Sequence, residues 1–353
     1  MHPLRIGTLG TSRISTPALL EPAASLPEVT VTAVAARDAS RAKAFALRHG
    51  IPGAYGSYDD LLADQDIDAV YNPLPNSLHG PWTLRAIAAG KHVLCEKPFA
   101  SNAEQAGQVA DAAAAAGLVV MEAMHYRYHP LVRRLVELVT GGELGPVRHI
   151  QCWTNFVVED TGDIRYDYGL AGGALMDGGC YAIDCMRLLA AGDGAFDGGA
   201  EADTGPSVTG AVADPWSDPA KPGAVAGDGA VADRAIAVQL AFPGGATGWF
   251  ESSFTRDGEL RDDVHVSCRD GHVWLQHFIL AHQGRLVATR KGAVIAEESA
   301  TGDTTYFWQL RAFAAAIQGD PGARPVSTSA AYAVTTMRVI DDAYRAAGLA
   351  LRP

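Results

Sequence analysis

No run of basic residues occurs anywhere in the 353-residue sequence, and its formal net charge at pH 7 is -12. Proteins that bind nucleic acid neutralise its phosphates with clustered Lys and Arg side chains. We therefore predict no nucleic-acid partner and favour small-molecule chemistry. Apolar residues make up 48% of the sequence and charged residues 19%, which is typical of a globular protein with a sizeable core.

Cysteine is scarce and long apolar runs are absent. The five cysteines cannot all pair with one another, and no CxxC spacing indicates a metal or redox centre. No stretch reaches the ~20 apolar residues that a membrane span requires. We also expect no signal peptide, because the first residues lead directly into the first predicted strand. We therefore predict a protein of the reducing cytoplasm with no membrane partner. No His, Cys or carboxylate cluster has ligand spacing, so no metal is predicted.

The N-terminal residues follow the pattern strand, glycine turn, helix, which opens a dinucleotide-binding unit. In the G-x-G-x-x-G fingerprint the three glycine positions fall on Thr8, Gly10 and Arg13, so only the middle glycine is present. One interpretation is a plain strand-to-helix turn. In the other, the turn binds the cofactor through Gly10, Thr11, Ser12, Arg13 and Ile14.

The second predicted strand, residues 29–36, leads to the position at which an acidic residue binds the ribose of NAD. Here the chain has Arg37, followed by Arg41. A guanidinium at this position can pair with the 2′-phosphate of NADP, so NADP is favoured and NAD stays open. The alternative is that both arginines lie at a solvated helix start.

Strands and helices alternate up to residue 123, which predicts a doubly wound parallel sheet, the Rossmann fold. Prolines end the strand at 67–71 in a loop, and ligands bind at the carboxyl ends of such strands. Asn76 and His79 are therefore interpreted either as contacts to the nicotinamide side of a cofactor or as caps of the next helix. The predicted cofactor contacts of this loop are Pro73, Leu74, Asn76 and His79.

Two separate stretches carry the titratable groups that a hydride-transfer site needs. Lys97 lies at the end of a buried strand, where the following proline holds it in extended geometry. Asp177 and Tyr181 are four residues apart on a predicted helix and so share one face. An ammonium, a carboxylate and a phenol can together move a proton on or off an alcohol oxygen while a cofactor moves the hydride. The alternative for Tyr181 is an aromatic side chain packed between two domains.

The second half of the chain has a different pattern, and we place the domain boundary between 1–124 and 125–353. Strand pairs with turn signals follow one another from residue 235, which predicts an α+β domain with a large open, mainly antiparallel sheet, built as a meander. Residues 191–232 are predicted as a strand between two acidic loops. A broad sheet face of this kind often forms an oligomer contact, so we expect a homodimer or homotetramer.

Together these motifs resemble the family of glucose-fructose oxidoreductase, inositol dehydrogenase and their relatives (Gfo/Idh/MocA), over nearly the whole chain. Five motifs in the family's order carry the resemblance: residues 7–10, 73–79, 95–98, 122 with 126–130, and 172–177 with Tyr181. Many members have histidine where this chain has Tyr181. The tyrosine variant is similar to the branch with dimeric dihydrodiol dehydrogenase, NADP-dependent xylose dehydrogenase and some sugar ketoreductases, which also supports NADP.

The resemblance implies that Lys97 lies beside the substrate hydroxyl and the nicotinamide. We therefore predict an oxidoreductase that transfers a hydride between nicotinamide and a carbon of a pyranose sugar or related cyclic polyol. Tyr181 would exchange the hydroxyl proton, Lys97 would lower its pKa, and Asp177 would bind a neighbouring hydroxyl. His125 and Arg165 are further candidates for substrate contacts, and Glu96 and Lys97 for cofactor contacts.

Three other functions are considered beside this one. Two stay open: oxidation of trans-dihydrodiols, and cleavage of a glycoside or ether through a transient keto-sugar on a retained cofactor. The third, a regulator that binds the cofactor without turnover, is disfavoured because Lys97, Asp177 and Tyr181 are all present.

Overall fold

The computed structural model describes residues 2–158, 162–191, 205–216, 230–255, 260–320 and 326–353. The strands are β1 (Leu4–Leu9), β2 (Val29–Ala35), β3 (Gly53–Tyr55), β4 (Ala69–Asn72), β5 (His92–Cys95), β6 (Val120–Glu122), β7 (Val147–Val157), β8 (Ser207–Pro215), β9 (Asp233–Ala241), β10 (Thr247–Thr255), β11 (Arg261–Cys268), β12 (Gly271–Gln276), β13 (Arg285–Arg290) and β14 (Ala293–Ser299). The helices are α1 (Glu21–Ala24), α2 (Ala39–His49), α3 (Tyr58–Ala63), α4 (His79–Ala88), α5 (Ala103–Ala116), α6 (Pro130–Thr140), α7 (Cys180–Ala190), α8 (Thr305–Gln318) and α9 (Ala330–Ala346). Short 3₁₀ and π turns link several of them.

The first six strands form one parallel sheet in the order β3-β2-β1-β4-β5-β6. This order confirms the predicted Rossmann fold. Successive strands are added on one side of β1 up to β3 and on its other side from β4, and this reversal of strand order leaves a crevice at the carboxyl ends of β1 and β4. The strand predicted third in sequence is β4. Strand β3 was not predicted, since its three half-buried residues at the sheet edge show no periodicity.

Capping residues place the helix boundaries of this domain. Asp38 accepts a hydrogen bond from the backbone N–H of Ser40 at 2.8 Å, which fixes the start of α2. Gly50 ends that helix in the left-handed region with φ 66°. In the same way Asn102 caps α5 and Gly117 closes it.

The other eight strands form a second sheet in the order β14-β13-β12-β11-β7-β10-β9-β8. Neighbouring strands are antiparallel except β7 and β10, which run parallel. The mainly antiparallel sheet is confirmed, but the simple meander is wrong, because β7 inserts between β10 and β11. The turns at 243–245, 270–271 and 291–292 each join two neighbouring antiparallel strands, which confirms the strand pairs predicted from residue 235 onward.

The strand predicted within 191–232 is present as β8, which pairs antiparallel with β9. The two acidic loops predicted beside it fall largely on residues 192–204 and 217–229, which lie outside the described residues.

The last two helices return to the first sheet. Leu310 and Phe313 of α8 are fully buried in a cluster with β1 residues. The backbone N–H of Glu122, at the end of β6, donates to the Thr328 carbonyl at 2.8 Å. We propose that 1–124 and 125–353 are the two domains, with α8 and α9 as a main contact between them. In the described parts of the chain, no helix is both long and apolar enough to cross a membrane.

Candidate active site

A cavity of about 950 Å³ opens at the carboxyl ends of the parallel strands, between the first sheet and the segment that leads into α7. Its walls come from the loop after β1, the loop after β4, the residues after β5 and β6, and the second domain. The polar side chains that line it include Lys97, His125, Arg165, Asp177 and Tyr181. Residues 80 positions apart in sequence are thus brought into one site.

Lys97 and Asp177 form an ion pair in this cavity. The Lys97 ammonium donates to Asp177 Oδ1 at 2.6 Å and to the Asp177 backbone carbonyl at 3.0 Å. Both side chains are 16% exposed, so the pair is largely desolvated and still open to a ligand. Burial works against the charged form of Lys97, but the neighbouring Asp177 outweighs it and raises the lysine pKa.

Arg165 holds the other oxygen of the Asp177 carboxylate. Its Nε donates to Asp177 Oδ2 at 2.9 Å, and its Nη1 contacts Asp163 at 3.1 Å. Burial raises the pKa of Asp177, but the Lys97 and Arg165 cations outweigh burial and lower that pKa to about 2. Asp177 is therefore an ionised hydrogen-bond acceptor at neutral pH, fixed between two cations.

Glycines let the segment before α7 fold tightly against the second sheet. Gly173 has φ 133°, and a Cβ there would lie 2.0 Å from Asp233 Oδ1. Asp233 in turn accepts the backbone N–H of Leu175 at 2.7 Å and pairs with Arg352 at 2.7 Å. A Cβ on Gly178 would lie 2.5 Å from Ser252 Oγ. The π turn Leu175–Gly179 that presents Asp177 is thus positioned by close backbone packing.

Tyr181 lies one helical turn beyond Asp177 and is 4% exposed. Its hydroxyl is 3.1 Å from His125 Nε2, and the Lys97 ammonium lies 5.1 Å from its ring centroid. Burial raises the Tyr181 pKa well above its ordinary value. The structure therefore differs from the predicted lowering of this pKa by Lys97, because Lys97 faces the ring and pairs with Asp177. The phenol is protonated at neutral pH.

Glu96 precedes Lys97 and accepts a hydrogen bond from the Tyr71 hydroxyl at 2.8 Å. Burial raises the Glu96 pKa, although Lys97 acts in the opposite direction. The side chain is 8% exposed and lines the cavity, so its place agrees with the predicted cofactor contact without testing it.

The glycine turn after β1 has a backbone that a bound ligand could approach closely. Gly10 has φ 91°, and a Cβ there would lie 3.1 Å from Leu74 and 3.9 Å from the Tyr58 hydroxyl. Arg41 donates to the Thr11 hydroxyl at 3.3 Å. Burial raises the pKa of Tyr58, and the nearby charges of Arg37 and Arg41 oppose this rise without cancelling it. Arg37 and Arg41, the two arginines predicted to bind the cofactor, therefore lie near Gly10. Ser12, Arg13 and Ile14 line the cavity itself.

The loop after β4 is held by His79 and Asn76. His79 is 1% exposed, and its ring nitrogens lie 2.7 Å from the carbonyls of Pro98 and Leu74. Burial lowers the His79 pKa to about 4, so the ring is neutral and donates to one of the two carbonyls. Asn76 donates to the Ala171 carbonyl at 3.0 Å. The alternative that these side chains cap a helix is wrong, since neither 76–78 nor α4 has a side-chain cap.

Sequence analysis missed several wall residues from distant parts of the chain. Tyr306, from α8, stacks on His125 with ring centroids 4.1 Å apart. The mouth is apolar: Val157, Ile164 and Leu260 line the cavity and are 41%, 51% and 40% exposed. No local motif marks these residues. Within the described ranges, no group of three or more His, Cys, Asp or Glu side chains is arranged to hold a metal ion.

Two family models match the chain. Residues 4–124 match the model described as an oxidoreductase family with an NAD-binding Rossmann fold. Residues 132–274 match the GFO/IDH/MocA C-terminal domain. Together they cover the first sheet, strands β7 to β11 and most of β12 in the second sheet, and the cavity residues Lys97, Arg165, Asp177 and Tyr181.

Curated relatives include D-xylose 1-dehydrogenase (NADP(+)) 2 of Haloferax volcanii, 46% identical over 53% of this chain and 57% of that protein. Another is trans-1,2-dihydrobenzene-1,2-diol dehydrogenase of Mus musculus, 31% identical over 71% of this chain and 68% of that protein. The matched part of the chain spans little more than half the length of several of these relatives.

Two solved structures cover almost the whole chain. A 3-ketoreductase from Actinomadura kijaniata in complex with NADP and TDP-benzene has a TM-score of 0.80 and 27% identity, covering 96% of each chain. An aldose-aldose oxidoreductase from Caulobacter crescentus complexed with glycerol has a TM-score of 0.83 and 27% identity, covering 98% of each chain.

Proposed function

The chain belongs to the GFO/IDH/MocA family of oxidoreductases, and from this premise we propose that it transfers a hydride between NADP and a hydroxyl or keto carbon of a pyranose sugar or related cyclic polyol. One observation carries the proposal: Lys97, Asp177 and Tyr181 line one cavity at the crevice where a dinucleotide binds in this fold. They are also the three groups that the sequence motifs single out.

Each of the three side chains has a distinct task. The cofactor, when bound, supplies the hydride donor or acceptor. The Lys97 ammonium binds the reacting oxygen and stabilises negative charge on it. Asp177, kept ionised by Lys97 and Arg165, accepts hydrogen bonds from a neighbouring substrate hydroxyl. Tyr181, a protonated phenol in the free site, donates its proton to a keto oxygen and takes one back in the oxidation direction.

The residues around the glycine turn fit a phosphorylated dinucleotide. A side chain at Gly10 would crowd Leu74, so only glycine leaves the backbone open to a pyrophosphate at this point. Arg37 and Arg41 lie beside this turn with Thr11 and Tyr58, and two guanidinium groups suit the 2′-phosphate that separates NADP from NAD. Replacing Arg41 by Ala should weaken NADP binding more than NAD binding, measured by quenching of protein fluorescence.

A second candidate function is oxidation of a trans-dihydrodiol. The exposed apolar side chains at the mouth, Val157, Ile164 and Leu260, favour a substrate with an apolar ring beside its hydroxyls. The Mus musculus relative is named for that activity, and its match with this chain covers 68% of the relative's length. A comparison of kcat/KM for cyclohexane trans-diols and aldopyranoses separates the two candidates.

The proposed function is tested by mixing the protein with NADP or NAD and with aldopyranoses, inositols or cyclic trans-diols. The absorbance of reduced nicotinamide then measures turnover. We expect turnover with NADP and one substrate class. We expect Tyr181→Phe to lower kcat by about 10²-fold or more, since it removes the proton but keeps the ring. Full turnover in Tyr181→Phe would contradict the role of this phenol. Tight cofactor binding without any net redox change would favour the retained-cofactor cleavage reaction.

We also propose that the chain forms a homodimer or homotetramer through its second sheet. The sheet face that points away from α6 and α7 carries a row of partly buried aromatic side chains: Trp153, Trp249, His265 and Trp274. The Arg261 guanidinium lies 3.7 Å from the Trp153 ring centroid. Aromatic and arginine side chains are enriched at protein interfaces. Light scattering should give a dimer or tetramer for the parent protein and a smaller species for Trp249→Glu.

The cysteines support a reducing compartment. All five are buried free thiols. Unpaired thiols persist where glutathione and thioredoxin keep them reduced, so we propose the cytoplasm as the place of action. Thiol titration of the denatured protein, taken directly from cells under acid quench, should count five free groups.

A further inference from the structure

His125 is a buried residue to which the proposed reaction assigns no step. Sequence analysis placed it among the substrate contacts. In the structure its ring is 1% exposed, and Nε2 lies 3.1 Å from the Tyr181 hydroxyl. Its Nδ1 lies 2.8 Å from the Thr305 hydroxyl. The imidazole therefore lies between the Tyr181 hydroxyl and the hydroxyl of Thr305, which is 180 positions away from His125 in sequence.

The ring is held in a single orientation. Tyr306 stacks on it with centroids 4.1 Å apart and an interplanar angle of 38°, and Tyr181 meets it edge-on at 5.7 Å. Thr305 begins α8 and is fully buried, so the helix start fixes the hydroxyl beside Nδ1. Burial, reinforced by Lys97 and His282, lowers the His125 pKa to about 3. The imidazole is therefore neutral and carries one proton, on one nitrogen or the other.

Resting on the proposed function, we propose that His125 is a positioning residue whose tautomer decides whether the Tyr181 hydroxyl points its proton at the cavity, and that the Thr305 hydroxyl is the acceptor that the Nδ1–H tautomer requires. A phenol is a stronger acid than an alkyl hydroxyl, so in the free protein Tyr181 donates to Nε2. The Nδ1–H then donates to Thr305. In this state the lone pairs of the Tyr181 oxygen face the cavity and can accept a hydrogen bond from a substrate hydroxyl.

The other tautomer has the opposite effect. With the proton on Nε2, the imidazole donates to the Tyr181 oxygen and the Thr305 hydroxyl donates to Nδ1. The phenolic O–H is then free to point at a keto oxygen, which is the arrangement that reduction needs. The Thr305 hydroxyl serves both states because it can donate or accept. We expect His125 to contact neither the reacting carbon nor its oxygen.

The chain offers a matched pair of variants at Thr305. Thr305→Ser keeps a hydroxyl beside Nδ1, while Thr305→Val replaces it by a methyl group of similar volume. In Thr305→Val an Nδ1–H would be buried without an acceptor, so the proton should move to Nε2. Imidazole ¹⁵N spectra report the tautomer directly, and the His125 signal is assigned by its loss in His125→Phe.

We expect the Nδ1–H tautomer in the parent protein and in Thr305→Ser, and the Nε2–H tautomer in Thr305→Val. The same tautomer in Thr305→Ser and Thr305→Val would overturn the proposal. This measurement needs no substrate. It therefore decides the tautomer even if the parent protein shows no turnover, a result that would count against the proposed function alone.

Turnover supplies the second test. His125→Phe should lower kcat by roughly 10- to 100-fold with little change in KM, because the phenol loses its orientation while substrate contacts stay. In a Tyr181→Phe background the same change should have almost no further effect, since its target is gone. An equal loss in both backgrounds, or a rise in KM alone, would show that His125 acts elsewhere and would overturn the proposal.

Discussion

Asp177 and Asp184 lie seven residues apart on one helical segment, and each binds an ion-pair partner from the first domain or its border. Asp177 pairs with Lys97 in the cavity, and both side chains are 16% exposed. Asp184 pairs with Arg127 at 2.9 Å, and both are fully buried. The Tyr126 hydroxyl also donates to Asp184. The same pairing chemistry therefore occurs once with access to a ligand and once sealed from it.

Because a ligand can reach only one of the two ion pairs, we expect the two pairs to have different roles. A pair that a ligand can reach can exchange part of its interaction for contacts to substrate, and its charges act on a reacting oxygen. A sealed pair cannot exchange partners, and removing one member leaves the other charge desolvated. We therefore expect changes at the cavity pair to affect turnover and changes at the sealed pair to affect folding.

The largest expected effect is that of Lys97→Met on turnover. Methionine keeps much of the length of the side chain but removes the ammonium that stabilises charge on the substrate oxygen. We expect kcat/KM to fall by about 10³-fold. The measurement is steady-state oxidation of the best substrate with NADP, and the control is an unchanged far-ultraviolet circular dichroism spectrum. A tenfold loss or less would show that this cation has no direct part in the chemistry.

The next effect is that of Asp184→Asn on folding. The asparagine keeps the shape of the side chain but leaves Arg127 buried without its carboxylate. We expect the free energy of unfolding to fall by about 3–5 kcal/mol, measured by urea titration. The kcat of the molecules that remain folded should match the parent value. A stable Asp184→Asn with impaired turnover would reverse the division between the two pairs.

A third carboxylate extends the comparison because it forms no ion pair with any residue that the structure describes. Glu122 is fully buried, and burial together with Asp184 raises its pKa to about 8, although the Phe99 backbone and the Arg187 and Arg127 cations act in the opposite direction. A raised carboxyl pKa means that the folded protein holds a proton that the unfolded chain has lost. Stability should therefore fall as pH rises from about 5 to 8.

Replacing Glu122 by Gln removes this titration. We expect Glu122→Gln to lose the fall in stability across that pH range, a difference of roughly 2–4 kcal/mol at pH 8 relative to pH 5. Thermal unfolding at several pH values measures it. Parallel curves for the parent and the variant would show that Glu122 does not carry the raised pKa.

The smallest effect is expected at an exposed pair of the same type. Arg345 contacts Asp342 at 2.8 Å on α9, with side chains 57% and 47% exposed. Solvent screens such a pair, so Asp342→Asn should change the free energy of unfolding by no more than about 0.5 kcal/mol and leave turnover unaltered. A loss comparable to that of Asp184→Asn would mean that burial does not explain the difference between the pairs.

Local sequence predicted the parts of the site that local chemistry determines. Lys97 follows a buried strand, and Asp177 and Tyr181 share a helix face. The alternation of strands and helices over residues 4–123 also predicted the parallel sheet. Contacts made over long sequence separations could not be predicted. The pairing of His125 with Thr305 depends on α8 returning to the first sheet. The raised pKa of Tyr181 depends on its burial between the domains. The spacing of residues in the sequence carries no information about that burial.

The measurement that tests the central claim most directly compares the parent protein, Lys97→Met and Asp184→Asn in one assay of reduced-nicotinamide absorbance. Each is mixed with NADP and the sugar and polyol panel, and rates are divided by the folded concentration. We predict turnover in the parent, nearly the same rate in Asp184→Asn, and a loss of about 10³-fold in Lys97→Met. No turnover in the parent with any substrate, or equal rates in the parent and Lys97→Met, would contradict the assignment of hydride-transfer chemistry to this cavity.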